Sequence, residues 1–140
     1  MSHLNYYSYE GFGTGALESH AYNQAVRVGD NVYISGQGGW DPTTCVVHKD
    51  AVAQIDQAFA NVDKVLKDAG CAGGWEQVFI VRSYHLNLNK DAQDAMVRNF
   101  RKWMPNHKAL WTCVGVTRLG EDNMTVEIEV IANIPGGIIA

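Results

Sequence analysis

The stretch MTVEIEV at residues 124–130 alternates aliphatic and acidic side chains, which indicates a β-strand. In a strand, the three aliphatic residues lie on one face, and Glu127 and Glu129 lie together on the other. If the aliphatic face packs against helices, the acidic face is left to water or to a partner chain. We expect a partner chain, because Trp111 and Cys113 share one face of the strand expected beside it. The pattern therefore predicts a homo-oligomer.

The segments around this strand predict an α+β fold. Apolar residues at steps of three and four predict an amphipathic helix that begins after Asp50, a suitable N-cap, and ends at Gly70. A second helix is expected over about 91–104. The resulting order is β-β-α-β-α-β-β, a single mixed sheet with both helices on one face. The expected strands lie at about 25–28, 32–35, 78–86, 109–118 and 124–132.

Length and composition restrict the class of protein. A chain of 140 residues with 46% hydrophobic residues predicts one folded domain over 1–140, in which glycine-rich residues 1–20 form an irregular N-terminal lead-in. A net charge of −4 argues against a nucleic-acid partner, and no apolar run is long enough for a membrane span. The sequence shows no secretory leader and three cysteines without a CxxC pair. These features predict a cytoplasmic location.

Four short blocks of sequence resemble one known family. They are YNQAV at 22–26, VYISGQ at 32–37, VTRL at 116–119 and VEIEVIA at 126–132. Together they resemble the RidA/YjgF family, also described as reactive-intermediate deaminases, over about residues 20–134. The resemblance implies a chorismate-mutase-like fold, a homotrimer and ligand clefts between subunits. It also implies hydrolysis of reactive enamines or imines to a keto acid and ammonia, without a metal or an organic cofactor.

The resemblance also implies a set of site residues. Tyr22 and Ser35 match a tyrosine and a serine that line the family's cleft, and the backbone of Gly36 follows that serine. Cys113 matches a strand residue that holds substrate through its backbone groups. Glu127 matches a glutamate that positions or activates the attacking water, and imine hydrolysis needs such a base. No histidine spacing in the sequence indicates a metal site.

The chain departs from the family pattern at Trp111. Characterised deaminases carry an arginine two residues before the position of Cys113, and its guanidinium holds the substrate carboxylate through two hydrogen bonds. An indole has one N–H donor and no charge. Losing such a contact typically costs about 2–5 kcal/mol of binding free energy. The substitution therefore argues against specificity for a 2-imino acid.

Several interpretations remain open from the sequence. Lys108 or His107 could supply the missing cation, or an arginine could reach in from an adjacent subunit. Alternatively, the substrate lacks a carboxylate and lies against an aromatic wall of Trp111 with Tyr22 or Trp40. The chain could thus be a deaminase-like hydrolase or a tailoring catalyst for a larger conjugated metabolite. It could also be a non-catalytic trimer that binds small molecules, its cleft filled by the indole.

Overall fold

A computed structural model describes residues 1–135 and shows, within them, one mixed sheet of six strands and three α-helices. The strands are β1 (Asn5–Tyr7), β2 (Ala25–Val28), β3 (Asn31–Ile34), β4 (Val78–His85), β5 (Leu110–Gly115) and β6 (Val126–Asn133). The helices are α1 (Phe12–His20), α2 (Ala51–Asp68) and α3 (Lys90–Trp103). Across the sheet the order is β1-β2-β3-β6-β4-β5, with β4 and β5 parallel and the other neighbours antiparallel.

The two long helices begin and end where the sequence predicts. The side chain of Asp50 accepts a 2.9 Å hydrogen bond from the backbone N–H of Ala53, and Asn89 caps α3 in the same way. Gly70 follows α2 with φ of 95°, a left-handed conformation that suits glycine. Both helix predictions are confirmed, as is the α+β class.

The core lies between the helices and one face of the sheet. The aliphatic residues of β6, Val126, Ile128 and Val130, are buried there against α2. Phe59 of α2 lies among them, stacked on Trp75 at 4.7 Å between ring centroids. The alternation in β6 therefore separates core from open face as predicted, with Glu127 and Glu129 on the open face.

The expectation of an irregular lead-in over residues 1–20 is wrong. This segment contains β1, which extends the sheet by pairing with β2, and helix α1. The sequence of α1 contains two glycines and little helical periodicity, so local propensity does not reveal it. The helix is held by tertiary contacts instead: Phe12 donates its N–H to Pro42 at 2.9 Å and stacks on Trp40. Residues 1–135 thus contain three α-helices rather than the two expected.

The expected position of Trp111 and Cys113 is also wrong. β4 lies between β5 and β6, so β5 is not the neighbour of the acidic strand. Trp111 pairs with Val81 and Cys113 with Ser83, and both of these β4 residues are buried on the helix side of the sheet. Trp111 and Cys113 therefore lie on the opposite face from Glu127.

The open face of the sheet carries an apolar row. One residue from each strand contributes, and each is the register partner of the next across all six strands. The row is Tyr6, Val26, Tyr33, Ile131, Ile80 and Leu110. Leu110 is 68% exposed and Tyr33 is 39% exposed in the single chain. An exposed apolar row of this length is unusual on a sheet face that contacts only water.

Residues 1–135 contain neither a membrane-spanning helix nor a cluster of metal-binding side chains. No helix in that range is both long and apolar enough to cross a bilayer. No group of three or more His, Cys, Asp or Glu side chains there is arranged to hold a metal ion.

Candidate active site

Glu127 lies beside a cavity of about 520 Å³, which we call the α1 pocket. Its walls come from three parts of the chain: α1, the loop around Trp40 and the segment 120–127. Glu127 is half-buried on β6 and faces Tyr84 of β4 across the sheet. Its carboxyl group is thus held on a rigid strand at the side of a space large enough for a small molecule.

Gly36 makes room for the Glu127 side chain. A Cβ atom at Gly36 would lie 2.6 Å from Oε1 of Glu127. This distance is too short for two non-bonded atoms, so the Glu127 side chain would have to move. The neighbouring residue, Gln37, exchanges two backbone hydrogen bonds with Ile128, of 2.8 and 2.9 Å. These bonds fix the loop after β3 against β6, so only glycine at position 36 leaves the carboxylate in place.

Burial and a neighbouring charge alter the acidity of Glu127. Burial raises the pKa of its carboxyl group above the usual 4.5, and the charge of Glu129 raises it further. Glu129 accepts a short hydrogen bond from the hydroxyl of Tyr84. A carboxyl group whose pKa is raised above its usual value holds a proton more readily, which favours the proton uptake and release that general acid–base chemistry requires.

Tyr22 lies at the mouth of the same pocket, whereas Ser35 does not line it. The pKa of the Tyr22 phenol is raised mainly by burial and also by the charges of Glu127 and Glu121. Ser35 donates its hydroxyl to the carbonyl of Asn23 at 2.7 Å and faces a separate depression that Tyr22 also lines. The fold therefore brings Glu127, Gly36 and Tyr22 together and leaves Ser35 outside.

Trp111 packs on the helix side of the sheet. Its Nε1 donates to Oγ of Ser83 at 3.0 Å, and its ring meets Phe100 edge-on at 5.0 Å between centroids. Ser83 is also hydrogen-bonded to His85, at 2.9 Å. Trp111 remains 36% exposed and lines a different, small cavity of about 120 Å³ near Lys108. Within one chain, neither Trp111 nor Cys113 lines the α1 pocket.

The structure adds pocket residues that the sequence analysis missed. Phe12 and Ala16 of α1 form one wall, while Met124 and Glu121 come from the segment before β6. His20, at the end of α1, has its Nε2 4.0 Å from Oε1 of Glu121. The only sequence signal for this wall is the four-residue spacing of Phe12 and Ala16, which places both on one side of a helix.

Comparisons with known proteins agree with this architecture. A family model described as Endoribonuclease L-PSP matches residues 14–134. The RutC family protein YjgH of Escherichia coli (strain K12) is 33% identical over 116 residues, which cover 83% of this chain and 85% of that protein. A solved structure of protein YJGH superposes with a TM-score of 0.80 at 30% identity, and the match covers 96% of this chain and 98% of that one.

A shorter match connects the chain to a named enzyme. The 2-iminobutanoate/2-iminopropanoate deaminase of Mus musculus is 45% identical over 51 residues, which cover 36% of this chain and 38% of the mouse protein. The match thus spans about a third of each protein, and it supports a deaminase-like activity at the level of the family.

Proposed function

Because the chain belongs to the family described as Endoribonuclease L-PSP, the RidA/YjgF family, we propose that it hydrolyses a reactive imine or enamine. The observation that carries this proposal is the position of Glu127, a half-buried carboxyl group with a raised pKa beside a cavity of small-molecule size. The residues that we assign to the reaction are Glu127 as proton acceptor and donor, Gly36 as its support and Tyr22 as a wall of the pocket.

The proposed reaction needs one water molecule and one group that moves protons. The water oxygen bonds to the carbon of a protonated imine while the Glu127 carboxylate takes a proton from that water. Glu127 then returns the proton to nitrogen. As the C–N bond breaks and the carbonyl forms, the hydroxyl proton of the intermediate passes to the Glu127 carboxylate and from there to the departing ammonia. In balance, R₂C=NH₂⁺ and H₂O give R₂C=O and NH₄⁺. No oxidant, reductant or organic cofactor enters the reaction.

The electrostatics of the site favour this chemistry over cleavage of RNA. Two carboxyl groups, from Glu121 and Glu127, line the α1 pocket, and the whole chain carries a net charge of −4. RNA phosphates bind where lysine and arginine provide positive charge. We therefore do not assign the ribonuclease activity in the family description to this chain.

We further propose that the active form is a homotrimer whose subunits cover one another's open sheet faces. The apolar row across the six strands supports a covered face. In such an assembly, the β5 edge of one subunit, with Trp111 and Cys113, would complete the site of the next. Ser35 would then reach a ligand from the depression that it shares with Tyr22.

The test is a measurement of ammonia release from imines generated in situ. Serine or threonine dehydratase supplies imines that carry a carboxylate, and an amine oxidase supplies imines without one. We expect the protein to accelerate hydrolysis of at least one of these imines over the spontaneous rate. Glu127→Gln should lower that acceleration roughly 100-fold, because Gln cannot carry the proton.

The matched control is Glu18→Gln, an exposed glutamate on α1 that does not line the pocket. It should retain the wild-type rate. No acceleration with either kind of imine, or a fully active Glu127→Gln variant, would contradict the proposed function. If no imine is hydrolysed faster, the remaining interpretation is a trimer that binds small molecules without turning them over.

A further inference from the structure

Part of the lining of the α1 pocket is aromatic and apolar. Phe12 stacks on Trp40 with 3.7 Å between ring centroids and 12° between planes, and Trp40 is held by a 3.3 Å hydrogen bond from its Nε1 to the hydroxyl of Tyr9. Ala16 and Met124 are buried beside them. This rigid surface matches a flat or aliphatic ligand body rather than a small polar acid.

The charges in the pocket are acidic. Glu127 and Glu121 contribute carboxyl groups, and the one histidine, His20, lies beside Glu121. Among residues 1–135, no lysine or arginine lines this cavity. A ligand carboxylate would meet two like charges here without a compensating lysine or arginine from residues 1–135 of the same chain, whereas a protonated nitrogen would meet opposite charges.

From this arrangement we propose that the α1 pocket accepts a carboxylate-free amine or imine with an aromatic or bulky apolar group. The nitrogen lies beside Glu127 and the apolar group lies against Phe12 and Trp40. This inference rests on the proposed function, of which it names the substrate class. For an aldimine of this kind, R–CH=NH₂⁺ and H₂O give R–CHO and NH₄⁺. The volume of about 520 Å³ accommodates a ring with a short side chain.

The first test compares three non-reactive probes by isothermal titration calorimetry at neutral pH. The probes are 2-phenylethylamine, 3-phenylpropanoate and 2-phenylethanol, which share a ring and a two-carbon chain and differ in charge. We expect the amine to bind at least about tenfold more tightly than the carboxylate, with the alcohol between them. Equal binding of amine and carboxylate, or tighter binding of the carboxylate, would overturn the inference.

The second test fills the pocket from α1. Gly15 lines the cavity, and a Cβ atom built on it meets no other atom within 4 Å, so Gly15→Phe can extend into the space without a backbone clash. We expect this variant to bind 2-phenylethylamine about tenfold more weakly. Leu17→Phe is the matched control, because Leu17 is exposed on the same helix and does not line the pocket.

Circular dichroism and thermal unfolding check that both variants fold. If a folded Gly15→Phe variant binds the amine as tightly as the wild type, the amine does not occupy the α1 pocket and the inference fails. Leu17→Phe should remain within about twofold of wild type, and an equal loss in both variants would likewise contradict a specific site.

The two proposals fail in different ways. If the amine binds in the α1 pocket and no imine is hydrolysed, the proposed function is wrong and the ligand class stands. If imines are hydrolysed but the carboxylate probe binds as well as the amine, the hydrolase stands and the inferred substrate class is wrong.

Discussion

At the scale of single residues, the candidate site depends on a contact between Gly36 and Glu127. The loop after β3 is fixed to β6 by the backbone bonds of Gln37 and Ile128, so neither the loop nor the strand can shift easily. The carboxyl group occupies the space that a side chain at position 36 would need. A glycine therefore determines where the acid lies, although it performs no chemistry itself.

Gly36→Ala should displace the Glu127 side chain and remove most of the activity. The added methyl group would lie 2.6 Å from Oε1 of Glu127. We expect a loss in kcat of roughly 100-fold, because small displacements of a catalytic group have effects of that size. The stability loss should stay below about 1 kcal/mol, because the atoms displaced belong to a side chain beside a cavity. Steady-state kinetics and urea unfolding measure the two effects.

Gly15→Ala is the control, because a Cβ atom there meets nothing within 4 Å and alanine favours a helix. It should raise stability by about 0.5–1 kcal/mol and leave the Glu127 side chain in place. If Gly36→Ala and Gly15→Ala behave alike, Gly36 does not support the catalytic carboxylate.

Glu127 should reduce the stability of the fold at neutral pH. Its pKa is raised above the usual 4.5, so the folded state holds the proton more tightly than the unfolded state does. Below pH 4.5 the carboxyl group of Glu127 is protonated in both states, and the stability of the fold is highest. As the pH rises through the folded-state pKa, the buried carboxyl group ionises and the fold loses that stability. Glu127→Gln removes this loss, so the variant should be more stable than wild type at pH 7.

Thermal unfolding from pH 4 to pH 8 tests this expectation. The advantage of Glu127→Gln should shrink as the pH falls towards 4.5, and Glu129→Gln should lower the pKa of Glu127 and reduce the advantage of the first substitution. A Glu127→Gln variant that is less stable than wild type at pH 7 would show that the carboxylate is well compensated in the fold.

At the scale of secondary structure elements, amphipathic periodicity predicts α2 and α3, because each buries one face against the core, and short β-prone runs predict the five strands β2 to β6. Helix α1 escapes prediction because its sequence has two glycines and a weak apolar side. Its position is decided by distant contacts, chiefly the stacking of Phe12 on Trp40. Elements that local sequence does not encode can still form a wall of the candidate site.

Strand β5 is anchored to α3 through Trp111. Trp111→Phe keeps an aromatic ring beside Phe100 but loses the hydrogen bond to Ser83, so it should cost about 1 kcal/mol of stability. Trp111→Arg loses the hydrogen bond and the ring contact, and should cost about 2–4 kcal/mol. Chemical denaturation measures both values.

Arg101→Ala, at an exposed position on α3, is the control and should change stability by less than about 0.5 kcal/mol. If Trp111→Arg is as stable as Trp111→Phe, the indole does not anchor the strand.

At the scale of the whole molecule, one face of the sheet packs against helices and the other does not. The uncovered face carries an apolar row from Tyr6 on the first strand to Leu110 on the last. Polar groups lie beside that row, including Arg82, which is the register partner of Glu129. A face of this mixed kind is typical of an interface between subunits.

The trimer proposal predicts a solution mass of three times the chain mass of 15.4 kDa. Light scattering coupled to size-exclusion chromatography measures it. Tyr33→Lys and Leu110→Lys place charges in the apolar row and should shift the protein towards monomer. Lys substitution of Leu17, which is exposed on α1 away from the row, should leave the mass unchanged. A monomeric wild-type protein would contradict the proposal.

The sequence by itself determined the class of fold, the bounds of the long helices and the division of β6 into a buried face and an acidic face. These properties follow from short-range periodicity and capping, which each segment carries within itself. Of the residues that the resemblance to a family singled out, Glu127 and Tyr22 line one pocket and Gly36 lies against the Glu127 side chain. The other three, Ser35, Trp111 and Cys113, do not line that pocket within one chain.

Only the tertiary structure decided the order of the strands, the existence of α1 and the face to which Trp111 belongs. Strand order depends on pairings between residues far apart in the chain, such as Ile80 with Ile131, and no local pattern records them. The sheet face on which a residue of an edge strand lies is set by the register between that strand and its neighbour. A shift of one residue would move Trp111 to the other face. The walls of the α1 pocket therefore became visible only when distant segments were brought together.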